Sequence, residues 1–272
     1  MIRFSPFNPI YFGSRHGISP MLGYRCVFSD SDHIMLQCFH NVDEKPGDIS
    51  IVDVETSHTV ANISWFQWPI GNHVLSFYEL RGLFCGKYRL FIGDDIASCE
   101  IIITDDCNIL DNTILVQFCQ QSNKDRTDIA TWINGTQYYI DFRIPGGFLD
   151  KDWEFGVDNE QMSTPMYDLI DIHSVDITDK RLTVGFSEGV PVWVGELLNR
   201  AFSCDLVYID GIRYTRVDGE RLQKYEAGNG MIFTQMLRQS QSLGVKFEWL
   251  NQLALRRIPT HIRRTRDDLR KI

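Results

Sequence analysis

The dipeptide Asp210-Gly211 most constrains what this chain can fold into, because it joins two apolar runs through a two-residue turn. Asp-Gly supplies the positive φ that a type I′ turn needs, so residues 206–209 and 212–217 are predicted to pair as a tight antiparallel hairpin. Just upstream, Pro191 stands where a helix starts. Trp193, Leu197 and Ala201, and beside them Val194, Leu198 and Phe202, recur at four-residue steps. That spacing predicts a short helix near residues 192–203, apolar on one side, with Glu196, Asn199 and Arg200 turned elsewhere. The segment from Gly185 to Gly219 is thus locally complete, and it contains no nucleophile elbow, metal cage or phosphate loop.

The same grammar recurs upstream. Runs at 33–39, 48–54, 60–66, 74–78, 87–92 and 98–104 are strand-sized and bounded by Gly, Pro, Asn or Asp. Tyr88, Leu90 and Ile92 fall on one face by period two, and residues 86–104 read as a terminal hairpin closing a sandwich. After the polar bridge at 105–112, strand signals resume at 113–118, 138–144, 172–177 and 181–185. The stretch 145–171, rich in Asp and Glu, reads as a long connection with few apolar anchors. Residues 231–247 mix a helix-like face (Ile232, Met236, Leu237) with strand-like alternation at 245–249. The expected fold is mainly β: two successive β-sandwich-like domains, 1–107 and 108–250, with one or two short helices in the C-terminal half and a basic tail at 251–272.

With 272 residues, 43% hydrophobic and 12% aromatic, the chain has ample material for a packed core. No stretch approaches the roughly 18 apolar residues of a membrane helix, so no membrane partner is expected. Prolines at positions 6 and 9 stand where a secretory leader would need an apolar helix, which points to assembly in a cytoplasm. Seven cysteines at 26, 38, 85, 99, 107, 119 and 204 show no metal-binding spacing; Cys38, Cys99 and Cys119 lie in or beside strand-like runs and read as small hydrophobes.

The net charge of −9 conceals an asymmetry: from Asn251 onward seven basic residues face two acidic ones, a balance of +5, which leaves −14 for the rest. An acidic body with a basic tail suits docking onto an acidic neighbour; a solvated end or contact with nucleic acid are the other readings. The acidic body and the lack of interleaved aromatics weaken the nucleic-acid reading.

Catalytic readings each fail at a step. Ser187 and Ser203 lack the Gly-x-Ser-x-Gly context of an exposed nucleophile. Asp168, Asp171 and His173 could hold a metal or serve a hydrolase, yet as a strand they place Asp171 and His173 on one face with Val175, which equally fits a solvent-facing edge. No glycine cluster has the strand-turn-helix order of a phosphate cradle, and no cofactor is implied. Trp65, Phe66, Trp68, Phe77 and Tyr78 could stack on sugars in a carbohydrate-binding adhesion module, or form core.

Three stretches carry a resemblance: Phe-Ser-Pro-Phe-Asn-Pro-Ile-Tyr-Phe-Gly-Ser-Arg-His-Gly-Ile-Ser-Pro from Phe4, Ile140-Asp-Phe-Arg-Ile-Pro-Gly-Gly-Phe, and Leu182-Thr-Val-Gly-Phe-Ser-Glu-Gly-Val-Pro-Val-Trp with Leu197-Leu-Asn-Arg and Val207-Tyr-Ile-Asp-Gly-Ile-Arg-Tyr. Together they resemble structural proteins of tailed phages of Bacteroides-type hosts, closest to a tail or neck ring subunit of the crAss-like group. The resemblance implies a non-enzymatic virion protein between portal and tail, forming a homo-oligomeric ring, touching other tail and neck proteins and letting DNA pass without specific binding. Candidate interface residues are Trp193, Arg200 and Tyr208 in the helix-hairpin segment and Arg256, Arg257, Arg263, Arg264 and Arg266 in the tail.

Overall fold

A computed structural model describes residues 2–240, apart from 18, 125, 187 and 229. The chain is mainly β, as its strand-sized runs predict. The first set of strands is β1 (Arg3–Phe4), β2 (Phe12–Ser14), β3 (Arg25–Ser29), β4 (Ile34–His40), β5 (Ile49–Asp53), β6 (Thr59–Ile63), β7 (Phe66–Ile70), β8 (His73–Leu80), β9 (Gly86–Ile92), β10 (Ile96–Ser98) and β11 (Glu100–Thr104). They form two sheets. One has the order β1-β4-β8-β7; the other is built around β9, with β5 on one edge and β10 and β11 on the other. The hairpin read at 86–104 is present, and Tyr88, Leu90 and Ile92 are all buried, as period two requires. Cys26, Cys38, Cys99 and Cys119 are buried free thiols.

A single helical turn, α1 (Cys107–Leu110), is capped by the Asp106 carboxylate, which accepts from the Asn108 N–H at 2.9 Å. It leads to β12 (Thr113–Cys119), the small hairpin β13 (Trp132–Ile133) and β14 (Thr136–Gln137), then β15 (Ile140–Ser163) and β16 (Leu169–Val184). After α2 (Val192–Ala201) come β17 (Leu206–Ile209), β18 (Ile212–Arg216), β19 (Gln223–Ala227) and β20 (Gly230–Gln239). Helix and hairpin lie where the sequence places them, and Asp210 and Gly211 adopt φ of 49° and 80°.

The second β-rich unit closes on itself. Its neighbours run β15-β12-β17-β18-β20-β16, and β16 pairs back onto β15, making a six-stranded antiparallel ring with β19 added to β20. Closure leaves these six strands without an open edge over the closed part. The inward set follows the register: Val116 pairs with Phe142 and Ile209, and Val184 with Phe233. Helix α2 comes so close to β20 that a Cβ on Gly195 would lie 2.3 Å from the Phe233 ring.

One hydrophobic core runs through both strand sets, from Phe7 and Phe28 to Phe118, Phe142 and Leu237. Phe7 meets Phe118 at 6.0 Å between ring centroids. On the opposite face of β15 the contacts to the first set are polar: Arg143 donates from Nε and Nη2 to the Asp32 carboxylate at 2.8 and 3.0 Å, both side chains buried. A second apolar cluster (Leu75, Ala130, Ile133) seats the segment around β13 and β14 on the sheet that carries Trp68 and Phe77.

The largest correction concerns residues 145–171. In place of a connection, β15 continues to Ser163, turns over five residues and returns as β16 from Leu169, so the expected strands at 172–177 and 181–185 are one strand. Acidic residues at solvent-facing positions blank out the apolar alternation, while backbone pairing carries on across two register shifts, at Phe148/Trp153 and Glu160/Gln161. The run at 231–247 is strand over 230–239; residues 241–247 and the basic tail lie outside the described residues.

Candidate functional site

The distal parts of β15 and β16 form a two-stranded arm. From Trp153 opposite Lys180 to Ser163 opposite Leu169, the two strands pair, among the described residues, only with each other, apart from the root, where β20 reaches Asp179 and Lys180. Eleven residues at about 3.4 Å each make the arm about 37 Å long. A ribbon of two strands is marginal in water by itself, and among the described residues no element covers either face of this one.

Four residues of β15, Leu149 to Asp152, intervene between the Phe148–Leu182 and Trp153–Lys180 pairs, with Arg181 alone between them on β16, so the register shifts through a bulge at the root. Lys180 holds this junction. Its Nζ lies 3.8 Å from the Trp153 ring centroid and about equidistant, at 6.0 and 5.9 Å, from those of Phe148 and Tyr214. The side chain is only 7% exposed. Burial pulls its ammonium below the ordinary lysine range, and the three ring faces offset part of that cost. Next to it, Asp179 accepts from Arg238 Nε and Nη2 at 2.9 and 3.0 Å, fastening β16 to β20.

Beyond the root the arm shows apolar side chains to solvent. Trp153, Phe155 and Val157 share one face; on the other, Met162 pairs with Ile170. Phe155 is 77% exposed, and at the tip Met166 and Tyr167 are 86% and 91% exposed. From Trp153 through Asp179 there are seven carboxylates, Asp179 included, and no lysine or arginine. The arm is therefore both sticky and strongly acidic.

The residues singled out from sequence are scattered. Trp193 is buried at the junction of the two strand sets, its ring 6.0 Å from Tyr11, 5.7 Å from Tyr24 and 6.1 Å from Phe142. It anchors the core. Arg200 pairs within its own helix, Nη1 to Glu196 Oε2 at 3.5 Å. Tyr208 is half-buried edge-on to Tyr139 at 5.9 Å, and burial raises its hydroxyl pKa. Arg256, Arg257, Arg263, Arg264 and Arg266 lie outside the described residues.

Asp171 and His173 do not share a face. A bulge at Ile172 puts Asp171 opposite Gln161, whose Nε2 donates to it at 2.7 Å, and His173 opposite Glu160 on the other side. Among the described residues no three potential metal ligands converge. Trp65 is 6% exposed and donates from Nε1 to the Gly47 carbonyl at 2.8 Å, and Trp68 packs beside Leu75 and Ile133, so neither forms a surface platform.

Sequence reasoning missed the arm itself. Its signal was the period-two placement of Trp153, Phe155 and Val157 followed by Thr164-Pro165 at the turn. No helix among the described residues is long and apolar enough to cross a membrane. No protein-family profile and no curated protein sequence matches the chain.

Proposed function

We propose that the protein is a non-enzymatic virion structural subunit of the tail or neck ring type, which assembles by laying its arm against a neighbouring subunit. The observation that carries this reading is the arm: about 37 Å of ribbon with apolar side chains on both faces and no covering element of its own chain among the described residues. Exposed apolar area of this extent marks an interaction surface. A head-to-tail contact between arm and body closes into a ring when its rotation divides a full turn. The rigid root, clamped by Lys180 and Asp179, sets the angle at which each arm leaves its body. An acidic surface facing the lumen would let DNA slide by repulsion. The sequence resemblance to phage ring proteins points the same way.

Mass photometry and negative-stain microscopy of the purified protein test this. Rings or higher oligomers are expected, alone or with the neighbouring virion proteins, and a variant in which residues 154–179 are replaced by a two-residue turn is expected to stay monomeric with its thermal transition retained. A wild type that remains monomeric in every mixture overturns the reading.

One surface favours the carbohydrate-binding alternative. Phe66, largely exposed, lies parallel to Tyr78, with an interplanar angle of 4° and centroids 5.9 Å apart. A glycan array with Phe66→Ala as control decides it: signal lost in the variant supports adhesion.

A further inference from the structure

Residues 56–78 contain no Asp, Glu, Lys or Arg, the longest such gap in a chain that is 23% charged. The fold places this stretch at the rim of the first strand set. Among the described residues β6 pairs only with β5 and ends one sheet, while β7 pairs only with β8 and ends the other. Two residues join them, and the second, Trp65, is buried and pinned to the Gly47 carbonyl, so the two sheets end side by side. Edge strands of natural proteins usually carry charges that keep other chains off. These two carry none, and Val60, Asn62, Phe66 and Gln67 are exposed along them. Pro69 takes one main-chain donor from β7, which favours side-chain packing over strand addition there.

The arm is segregated by face. Up to the register shift at Glu160, Trp153, Phe155 and Val157 line one face with a single carboxylate, Asp176 opposite Val157; Glu154, Asp158, Glu160 and Asp179 lie on the other. We infer, resting on the reading of the arm as the assembly element, that the aromatic face of one copy's arm docks on the uncharged rim, β6 and β7, of a second copy. Charge selects that surface: an arm with seven carboxylates is repelled by an acidic body, and the rim is the stretch of body that meets it with none. Apolar contact supplies the attraction, since Phe155 and Val157 leave water together with Phe66 and Val60. The four carboxylates of the opposite face keep their hydration, so docking desolvates few charges. Arm and rim are different patches of one chain. The contact is therefore head-to-tail, and each copy joined this way still offers an arm or a rim to the next.

The full chain carrying the photo-cross-linking residue benzoylphenylalanine at position 155 tests this. In the assembled fraction, formed alone or with the neighbouring virion proteins, illumination followed by gel separation and peptide mass spectrometry is expected to link position 155 to residues 56–78 in a species of at least dimer mass. Negative charge placed on the rim should oppose the arm. The double variant Val60→Glu, Gln67→Glu is expected to raise the concentration at half-assembly at least about tenfold in mass photometry, with the thermal transition of the monomer retained. Links from position 155 to another body surface, to a second arm or to a different protein, links to the rim found only at monomer mass, or assembly indifferent to the two glutamates would each overturn the docking surface while leaving the arm as the assembly element. A wild type that stays monomeric in every mixture overturns both.

Discussion

β15 and β16 are each one continuous strand, yet their two halves live in different worlds. From Ile140 to Pro145, β15 pairs with β12, and from Gly146 to Phe148 it pairs with β16; Ile140, Phe142 and Ile144 enter the core, while Asp141 and Arg143 are buried against the first strand set. Beyond Trp153 pairing with β16 continues, and among the described residues no third strand joins past the root and no element covers either face. Backbone pairing is common to both halves. What differs is burial, which identifies packing rather than strand pairing as the source of stability in this molecule.

The sharpest way to break that contrast is a pair of truncations. Phe142→Ala removes a fully buried ring and is expected to cost about 3–5 kcal/mol in urea denaturation, whereas Phe155→Ala in the arm should change monomer stability by less than about 0.5 kcal/mol. Equal costs would show the arm to be part of the core. Arg143→Met probes the polar face of the buried half: it strands the Asp32 carboxylate without its partner, and a loss of about 3–5 kcal/mol is expected.

Gly195→Ala tests how closely α2 must approach the ring. The added methyl would meet Phe233 at 2.3 Å, and a loss of about 3 kcal/mol is expected in the same assay. A neutral result would mean the helix can back away.

Asp141 offers a pH test confined to the buried half. Burial raises its carboxyl pKa to about 6, against hydrogen bonds from Gln117 and the His33 N–H that hold it down. The folded state therefore binds this proton more tightly than the unfolded state. The stability it contributes is complete below the unfolded pKa near 4 and is lost as pH rises through about 6, by about 3 kcal/mol. Asp141→Asn should erase that portion of the slope when wild type and variant are compared at pH 4 and pH 7.5; an unchanged difference between them would refute it. The smallest effect belongs to the root: Arg238→Ala should cost under about 1 kcal/mol, because its side chain is partly in water, while loosening the arm enough to speed hydrogen exchange near Asp179.

Much of the fold was legible because its signals are local. The strands at 34–40, 86–92 and 113–119, the helix at 192–201 and the Asp210-Gly211 turn each rest on periods of two or 3.6 residues or on one dipeptide's φ preference. Asn134-Gly135, the turn between β13 and β14, carried the same signal and went unread. The candidate site was much less legible. Trp193 was singled out for its place on a helix face, and the fold buries it between Tyr11, Tyr24 and Phe142. Phe155 and Val157 passed unnoticed among carboxylates because solvent exposure is not a property of the residue.

By itself, then, the sequence determined which segments extend, coil and turn, and that the body is acidic, since these follow from side-chain shape and charge acting over a few residues. Only the tertiary structure decided that β16 pairs with both β15 and β20 to close the ring, and that the ladder runs on past its last covered residue into an arm. Those outcomes depend on partners far apart in the chain, whose register is settled by the core they bury together.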